Sequence, residues 1–549
     1  MGRGTKAGAV TAIVGLAVTA CSSGGTIDDG DRTGFSDFLS ELQRGTENEK
    51  PFVFGLSSEV QSLDPVFGMD GTTFQVTSQI YDTLLSHDGG KLAPGLAESW
   101  DHDAAGEEWT FTLREGVTFH DGGELTGDVV CRNFERWNSF DSDLRSITYY
   151  WDWSFYGYGS NSIFDGCEAD GLDVTINLSA QYPNFPGAFS LEAFGILSPN
   201  ALDELEDVEI DSTVEPPDYT QELGTLAGTG PFEVTEWDQS GGGMTLERFD
   251  DYWGETAELS TVEFQVLEDE NAQRLAMLSG DIHGYDLVNP ADVESLEADG
   301  YQFPEREDFS LLYLGFTESD NAALEDDAVR EAIAYAIDQE AIVDTFFHYG
   351  RSANQFVPEN FDAWNPDVPT YGFDPGRAKK LLEDAEAEDT TVEFCYPAGV
   401  VRTYLPDSSG IAEHMMQGLE EVGFEVEPRP IEWQEYIQQV YDGDCELHLL
   451  GWTGSYADSF DFLGTWFDGS RPAWGFEDDE IFDLMEKAGK EPDLDKRSEI
   501  LKEANAAIMD YVPGVPIASA PQLLVLVDNV ELAELSARGY VNFAELAWR

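Results

Sequence analysis

The chain has 549 residues, of which 109 are Asp or Glu and 28 are Lys or Arg, for a formal net charge of -81 at pH 7. So acidic a surface excludes nucleic acid as a partner, because phosphates need Lys and Arg, and it repels anionic lipid headgroups. It also destabilises the compact state by self-repulsion unless salt screens it, over about 3 Å at 1 M, and the spread of acids along the whole chain indicates a halophilic source rather than a local cation-binding stretch.

In chain order, Arg3 and Lys6 precede an apolar, small-residue run over residues 7–20, too short to cross about 30 Å of hydrocarbon. Residues 1–20 therefore read as a secretory signal. The run closes at Val18-Thr19-Ala20-Cys21, which resembles a lipobox; cleavage there would leave Cys21 first in the mature chain, carrying diacylglycerol on its sulfur. An ordinary signal with an incidental cysteine is the alternative. Loss of Arg3 and Lys6 takes the charge from -81 to -83. Residues 21–50 are polar and aperiodic, a flexible tether with a short helical piece at 35–42. Roughly 500 residues follow, enough for a large core and more than one domain.

A short apolar strand is predicted at residues 52–56, and Gly71-Thr72-Thr73 opens a helix reaching Tyr81 and Leu84-Leu85. Trp109, Phe111 and Leu113 alternate with polar residues as in a half-buried strand. Behind it come a turn at Glu115-Gly116, the turn His120-Asp121-Gly122-Gly123, and a helix capped by Thr126 with Val129, Val130, Phe134 and Trp137 on one stripe. The aromatic-rich run over residues 149–158 reads as packing or as a stacking platform for a ligand ring. Residues 185–196 read as a helix. The turn Gly228-Thr229-Gly230-Pro231-Phe232 lacks the Lys-Ser/Thr of a phosphate loop. Strands at 244–248 and 262–266 and a helix at 271–278 follow. Beyond the apolar segment 311–316 and a strongly periodic helix at 329–338, strands at 392–395, 424–426 and 447–450 alternate with helices at 411–422 and 433–441, as an α/β unit should. A helix at 496–509 and a strand at 523–527 close the chain.

Without Cys21 four cysteines remain, and an exported chain favours disulfides in one of three pairings. Cys131 with Cys167 and Cys395 with Cys445 are favoured because each pair would lie within one local unit; free buried thiols are the alternative. No cofactor or metal is expected, since no Cys/His cluster has zinc spacing.

Three segments in fixed order carry a resemblance: Leu113-Arg114-x-Gly116-Val117-x-Phe119-His120-Asp121-Gly122 before an Asp128-Val129-Val130 helix, Gly228-Thr229-Gly230-Pro231-Phe232 with Asp251-Tyr252-Trp253-Gly254, and Val329-Arg330-x-Ala332-Ile333-x-Tyr335-Ala336-Ile337-Asp338. Together they resemble the family 5 extracytoplasmic solute-binding proteins, the dipeptide, oligopeptide and nickel receptors of ABC importers. The resemblance implies an α/β, periplasmic-binding-protein-like fold of class II type: two main lobes with a hinge, plus an extra small α+β subdomain in the first lobe. Lobe I would comprise residues 51–86, 222–318 and 512–549, the subdomain 87–221, and lobe II 319–511. It further implies an extracytoplasmic monomer, anchored through Cys21, that passes a small solute, a peptide in the first instance, to a permease and ATPase complex.

Ligands of open α/β sheets sit beyond the carboxyl ends of strands, here after Cys395 and Leu450. Those segments hold Arg402 and Tyr404, and Trp452, Gly454, Ser455 and Asp458 in GWTGSYAD; Gly71, Thr72 and Tyr150 would face them from the first lobe. In dipeptide-binding relatives an arginine at the first place takes the ligand carboxylate, and an aspartate directly after Trp-Thr-Gly takes its ammonium. Arg402 keeps the first role, unless it forms an ordinary surface ion pair. Ser455 departs from the second, leaving Asp458 to hold an amino terminus or no amino terminus to be held. A hydrolase is disfavoured, for no Gly-x-Ser-x-Gly, His-Glu-x-x-His or P-loop is present. Oligosaccharide, suggested by the aromatic run, and nickel are the further solute readings.

Overall fold

Two six-stranded sheets and one four-stranded sheet carry the fold. The computed structural model describes residues 49–549 apart from 89–90, 141–143, 145–146, 182–184, 186, 207, 209–215, 240, 305, 319–320, 455–457 and 533–539. Cys21, the signal and all but the last two residues of the tether lie outside the described residues.

The first sheet is ordered Leu524–Leu526, Gly284–Asp286, Phe52–Leu56, Thr261–Val266, Gly243–Arg248, Phe232–Asp238. Phe52–Leu56 runs parallel to both neighbours and is apolar almost throughout, as a strand covered on both faces must be. The second sheet is ordered Arg351–Ser352, Gly514–Ser519, Ser310–Phe316, Leu447–Thr453, Thr391–Pro397, Glu425–Ile431. Its last three strands are parallel, joined by helices Ser408–Val422 and Trp433–Asp442, since parallel neighbours need a crossover. Pro428 and Pro430 are tolerated in Glu425–Ile431 because it is the edge strand.

The third sheet, Ala97–His102, Glu108–Leu113, Asp173–Leu178 and Phe164–Asp170, is antiparallel throughout. Trp109, Phe111 and Leu113 point into the core, and Thr126 caps helix Gly127–Asn138 by accepting the Val129 amide. A disulfide from Cys131 to Cys167, Cα atoms 5.3 Å apart, joins that helix to an edge strand. The first and third sheets share one continuous apolar core, whereas the second has its own clusters. In the second sheet a disulfide links Cys395 to Cys445, Cα atoms 5.8 Å apart.

The glycine turn at 228–232 is a packing device. A Cβ on Gly228 would lie 2.1 Å from the Ile80 carbonyl oxygen and one on Gly230 2.5 Å from that of Gln79, so only glycine lets the turn press against helix Gly71–Ile80. Thr229 and Trp253 then donate to half-buried Asp82 at 2.8 and 2.7 Å. Burial raises the Asp82 pKa, and these bonds hold it back.

Three expectations need correction: the helix opened by Gly71 ends at Ile80, and Leu85 already begins strand Leu85–Asp88. Strands Ser310–Phe316 and Gly514–Ser519, placed in lobe I by the boundaries 318 and 512, pair with each other inside the second sheet. The chain passes from the first sheet to the second after Gln302 and before Ser310, and back after Ser519 and before Leu524. Both strands are buried along their whole length, and an apolar run carries no local mark of which sheet will receive it. The helix expected at 185–196 is two 3-10 turns, Gly187–Ser190 and Glu192–Phe194. Phe189 and Phe194 both point into the aromatic core around Phe134, Trp137 and Trp151, so the segment has no polar face to impose a helical period.

Candidate ligand-binding site

Strands Thr391–Pro397 and Leu447–Thr453 are parallel neighbours, so the loops at their carboxyl ends emerge side by side. Tyr404 is buried against the second strand: a Cβ at Gly451 would lie 2.4 Å from its ring. Burial pushes the Tyr404 phenol up to about 12, with Arg402 pulling it back. Arg402 itself pairs with Leu405 through two backbone bonds, its guanidinium sits 4.5 Å over the Trp433 ring, and Nη1 donates to the Val401 carbonyl at 2.9 Å. The side chain is exposed, and no carboxylate among the described residues pairs with it. In a chain with 109 acids that is informative, because an exposed arginine here has acid neighbours to choose from.

Trp452 is half-buried and donates Nε1–H to Asp461 at 3.1 Å. The Gly454 amide donates to the Phe309 carbonyl at 2.9 Å, and a Cβ there would lie 2.7 Å from the Phe309 ring. Ser455 lies outside the described residues. Asp458 uses both carboxylate oxygens internally: one accepts the Phe460 amide at 2.7 Å, capping helix Ser459–Phe467, and the other meets Arg497 at 2.7 Å. Burial raises the Asp458 pKa, and Arg497 is the strongest influence lowering it.

In the first lobe Asp70 caps helix Gly71–Ile80 through the Thr73 amide, and Thr72 accepts from Ser58 at 2.9 Å. Phe74, one turn on, meets Tyr150 edge to face at 5.6 Å. The aromatic run divides. Trp151 and Phe155 of helix Tyr149–Phe155 are core residues, while Tyr149 and Tyr156 are exposed. The Tyr149 phenol is raised, by desolvation first and then by the charges of Tyr441 and Asp461 of the second lobe.

A cavity of about 170 Å³ lies where the lobes meet, lined from the first lobe by Leu287 and Val288, from the second by Phe347, His348, Val401 and Arg402, and at the crossing strand by Pro521 and Leu523. Sequence reasoning missed all of these but Arg402. Leu287 adopts φ of 57°, a left-handed conformation unusual for leucine, which no local pattern announces.

Residues 91–474 match the family described as bacterial extracellular solute-binding proteins, family 5, middle region. The chain belongs to this family. Family 5 proteins are the transport receptors of ABC importers and not enzymes. The dipeptide-binding protein of Escherichia coli is 27% identical over 497 residues, covering 85% of this chain and 89% of that one. Heme-binding protein A of Haemophilus influenzae is 23% identical over 522 residues, 92% of this chain and 93% of that one. The structure of HbpA2 from Haemophilus parasuis superposes with a TM-score of 0.80 at 24% identity, over 91% of this chain and 100% of that one, and shows the two-lobed fold. Family 5 relatives are extracytoplasmic or periplasmic, and no helix among the described residues is long and apolar enough to cross a membrane.

Proposed function

We propose that this family 5 receptor captures a peptide outside the membrane by closing its two lobes and delivers it to a permease and ATPase complex. The observation that carries the reading is Arg402, a guanidinium without a carboxylate partner among the described residues, in the wall of the interlobe cavity. A planar five-donor fork suits the carboxyl terminus of a peptide, and such charge-assisted bonds contribute about 1.5 to 3 kcal/mol. The similar dipeptide-binding protein of Escherichia coli supports the same ligand class. Residues 303–309 and 520–523 would act as the hinge. Asp458 is committed to Arg497 and to a helix cap, so a peptide ammonium would have to be met by another group.

Mass spectrometry of ligand released from the purified receptor should find peptides, and calorimetry should find them bound without turnover. An oligosaccharide recovered instead would move the exposed Tyr149 and Tyr156 to the centre of the site and set the peptide reading aside. The lipobox at Val18-Thr19-Ala20-Cys21 supports attachment through Cys21. Cys21→Ala should then shift the protein out of the membrane fraction or block its processing; normally processed Cys21→Ala protein still in the membrane would refute the anchor.

A further inference from the structure

The cavity beside Arg402 has a chemistry of its own. Leu287 and Val401 are large apolar side chains left 50% and 59% exposed on facing lobes, and both line it. Val288, Phe347, Pro521 and Leu523 add to its apolar lining. Its volume is about 170 Å³. An apolar protein cavity of about 150 Å³ holds one benzene molecule, so this space matches one aromatic or branched aliphatic side chain, not a second residue. The charged groups are few and lie apart in sequence: Arg402, the exposed His348, and Glu270 at the start of helix Glu270–Ser279. Gln522, the other long polar side chain, already donates to Asp286 at 3.0 Å.

We infer that this cavity is a side-chain pocket for the residue whose carboxylate Arg402 takes, and that the receptor selects peptides ending in a leucine- or phenylalanine-sized apolar residue. The inference rests on the peptide reading above and narrows it. Two features decide the occupant. The guanidinium in the wall demands an anion at the mouth, and the lining beyond it is mostly apolar, its uncharged polar side chains being Thr403, Gln522 and Asn289, which already accepts the Ala291 amide, so a polar side chain would find few partners in exchange for water. An acidic terminal side chain would in addition meet Glu270 and the field of a chain with net charge -81.

Calorimetry of the full-length receptor with Ala-Ala-X tripeptides, X being Gly, Leu, Phe, Lys or Asp, tests it. Leu and Phe should bind about 10- to 100-fold tighter than Gly, as burying such a side chain allows, with Asp weakest. Leu287→Ser and Val401→Ser, at exposed positions that do not threaten folding, should each shrink the Phe-to-Gly affinity ratio. Equal affinities for all X in a receptor that binds the series would overturn the pocket and leave the peptide reading standing; Lys as the tightest would overturn it in favour of recognition by Glu270. If no tripeptide binds, the peptide reading fails, and 3-phenylpropanoate against acetate then judges the pocket alone. Preference for the phenyl acid sustains it, and no preference overturns it.

Discussion

Two arginines of the second lobe are used in opposite ways. Arg497, on helix Leu494–Tyr511, is 4% exposed, meets Asp458 at 2.7 Å and lies over the Phe460 ring. Arg402 is exposed, stacked on Trp433, and faces the interlobe cavity with no carboxylate against it among the described residues. The first pair is buried, so its attraction offsets a desolvation cost and its value lies in not being broken. The second has kept its hydrogen-bonding capacity for something outside the chain. In a protein this acidic a paired arginine says little about function, and an unpaired one at a lobe junction says a good deal. A third case lies between them: Arg306, in the crossing segment, is buried with Asp286 as its counter-charge through space, and its Nε and Nη2 have no hydrogen-bond partner among the described residues.

The comparison can be broken most forcefully at Arg497. Arg497→Ala leaves the Asp458 carboxylate buried without its counter-ion and should lower unfolding stability by about 3 to 5 kcal/mol in denaturant titrations. A loss below about 1 kcal/mol would mean that Asp458 is solvated and open to a ligand. Arg402→Ala should do the reverse: peptide binding weakened by about 2 to 4 kcal/mol, with stability changed by less than about 0.5 kcal/mol. Arg402→Lys should recover only part of the binding, because a point charge cannot reproduce the fork. An Arg402→Ala protein that binds peptides normally would place the carboxylate elsewhere.

Asp286 sharpens the intermediate case. Burial raises its pKa from 3.8 to about 6 against the opposing pull of Arg306, whose own value burial lowers to about 10. Between these two acid values the unfolded chain has released the proton that the folded protein still binds. The favourable contribution of Asp286 is therefore complete below about pH 4 and lost as pH rises through about 6. Stability of the wild type relative to Asp286→Asn should fall by on the order of 2 kcal/mol from pH 4 to pH 7. A difference that stays flat over that window would show that Asp286 is ionised throughout.

The smallest expected effect per residue concerns the surface. Exposed pairs such as Lys496–Asp493 and Lys502–Glu499 contribute little, so screening them costs little. Screening the excess of acids stabilises, and the thermal midpoint should climb as salt goes from about 0.1 M to about 1 M, where the screening length drops from about 10 Å to about 3 Å. A midpoint indifferent to salt would remove the halophilic reading.

Much of the fold was legible because its signals are local. Period-two alternation marked strand Glu108–Leu113, a polar cap and an apolar stripe marked helix Gly127–Asn138, and alternating strands and helices marked the parallel unit around residues 391–453. The same alternation put Arg402 and the 451–458 segment at the ends of neighbouring strands. Ser455 was legible as a departure, yet what stands in for its charge was not.

By itself, then, the sequence determined many of the strands and helices, though not the two 3-10 turns at 187–190 and 192–194, together with the order of the family motifs and the acidity of the surface. Each of these depends on a residue and its near neighbours. Only the tertiary structure decided that Ser310–Phe316 and Gly514–Ser519 join the second sheet, that Asp458 is consumed by an arginine 39 residues later, and that Leu287 meets Val401 across a cavity. Those outcomes turn on which buried surfaces and charges find one another over long chain separations. The free energy of such meetings belongs to the pair and its surroundings, and no window of sequence contains both.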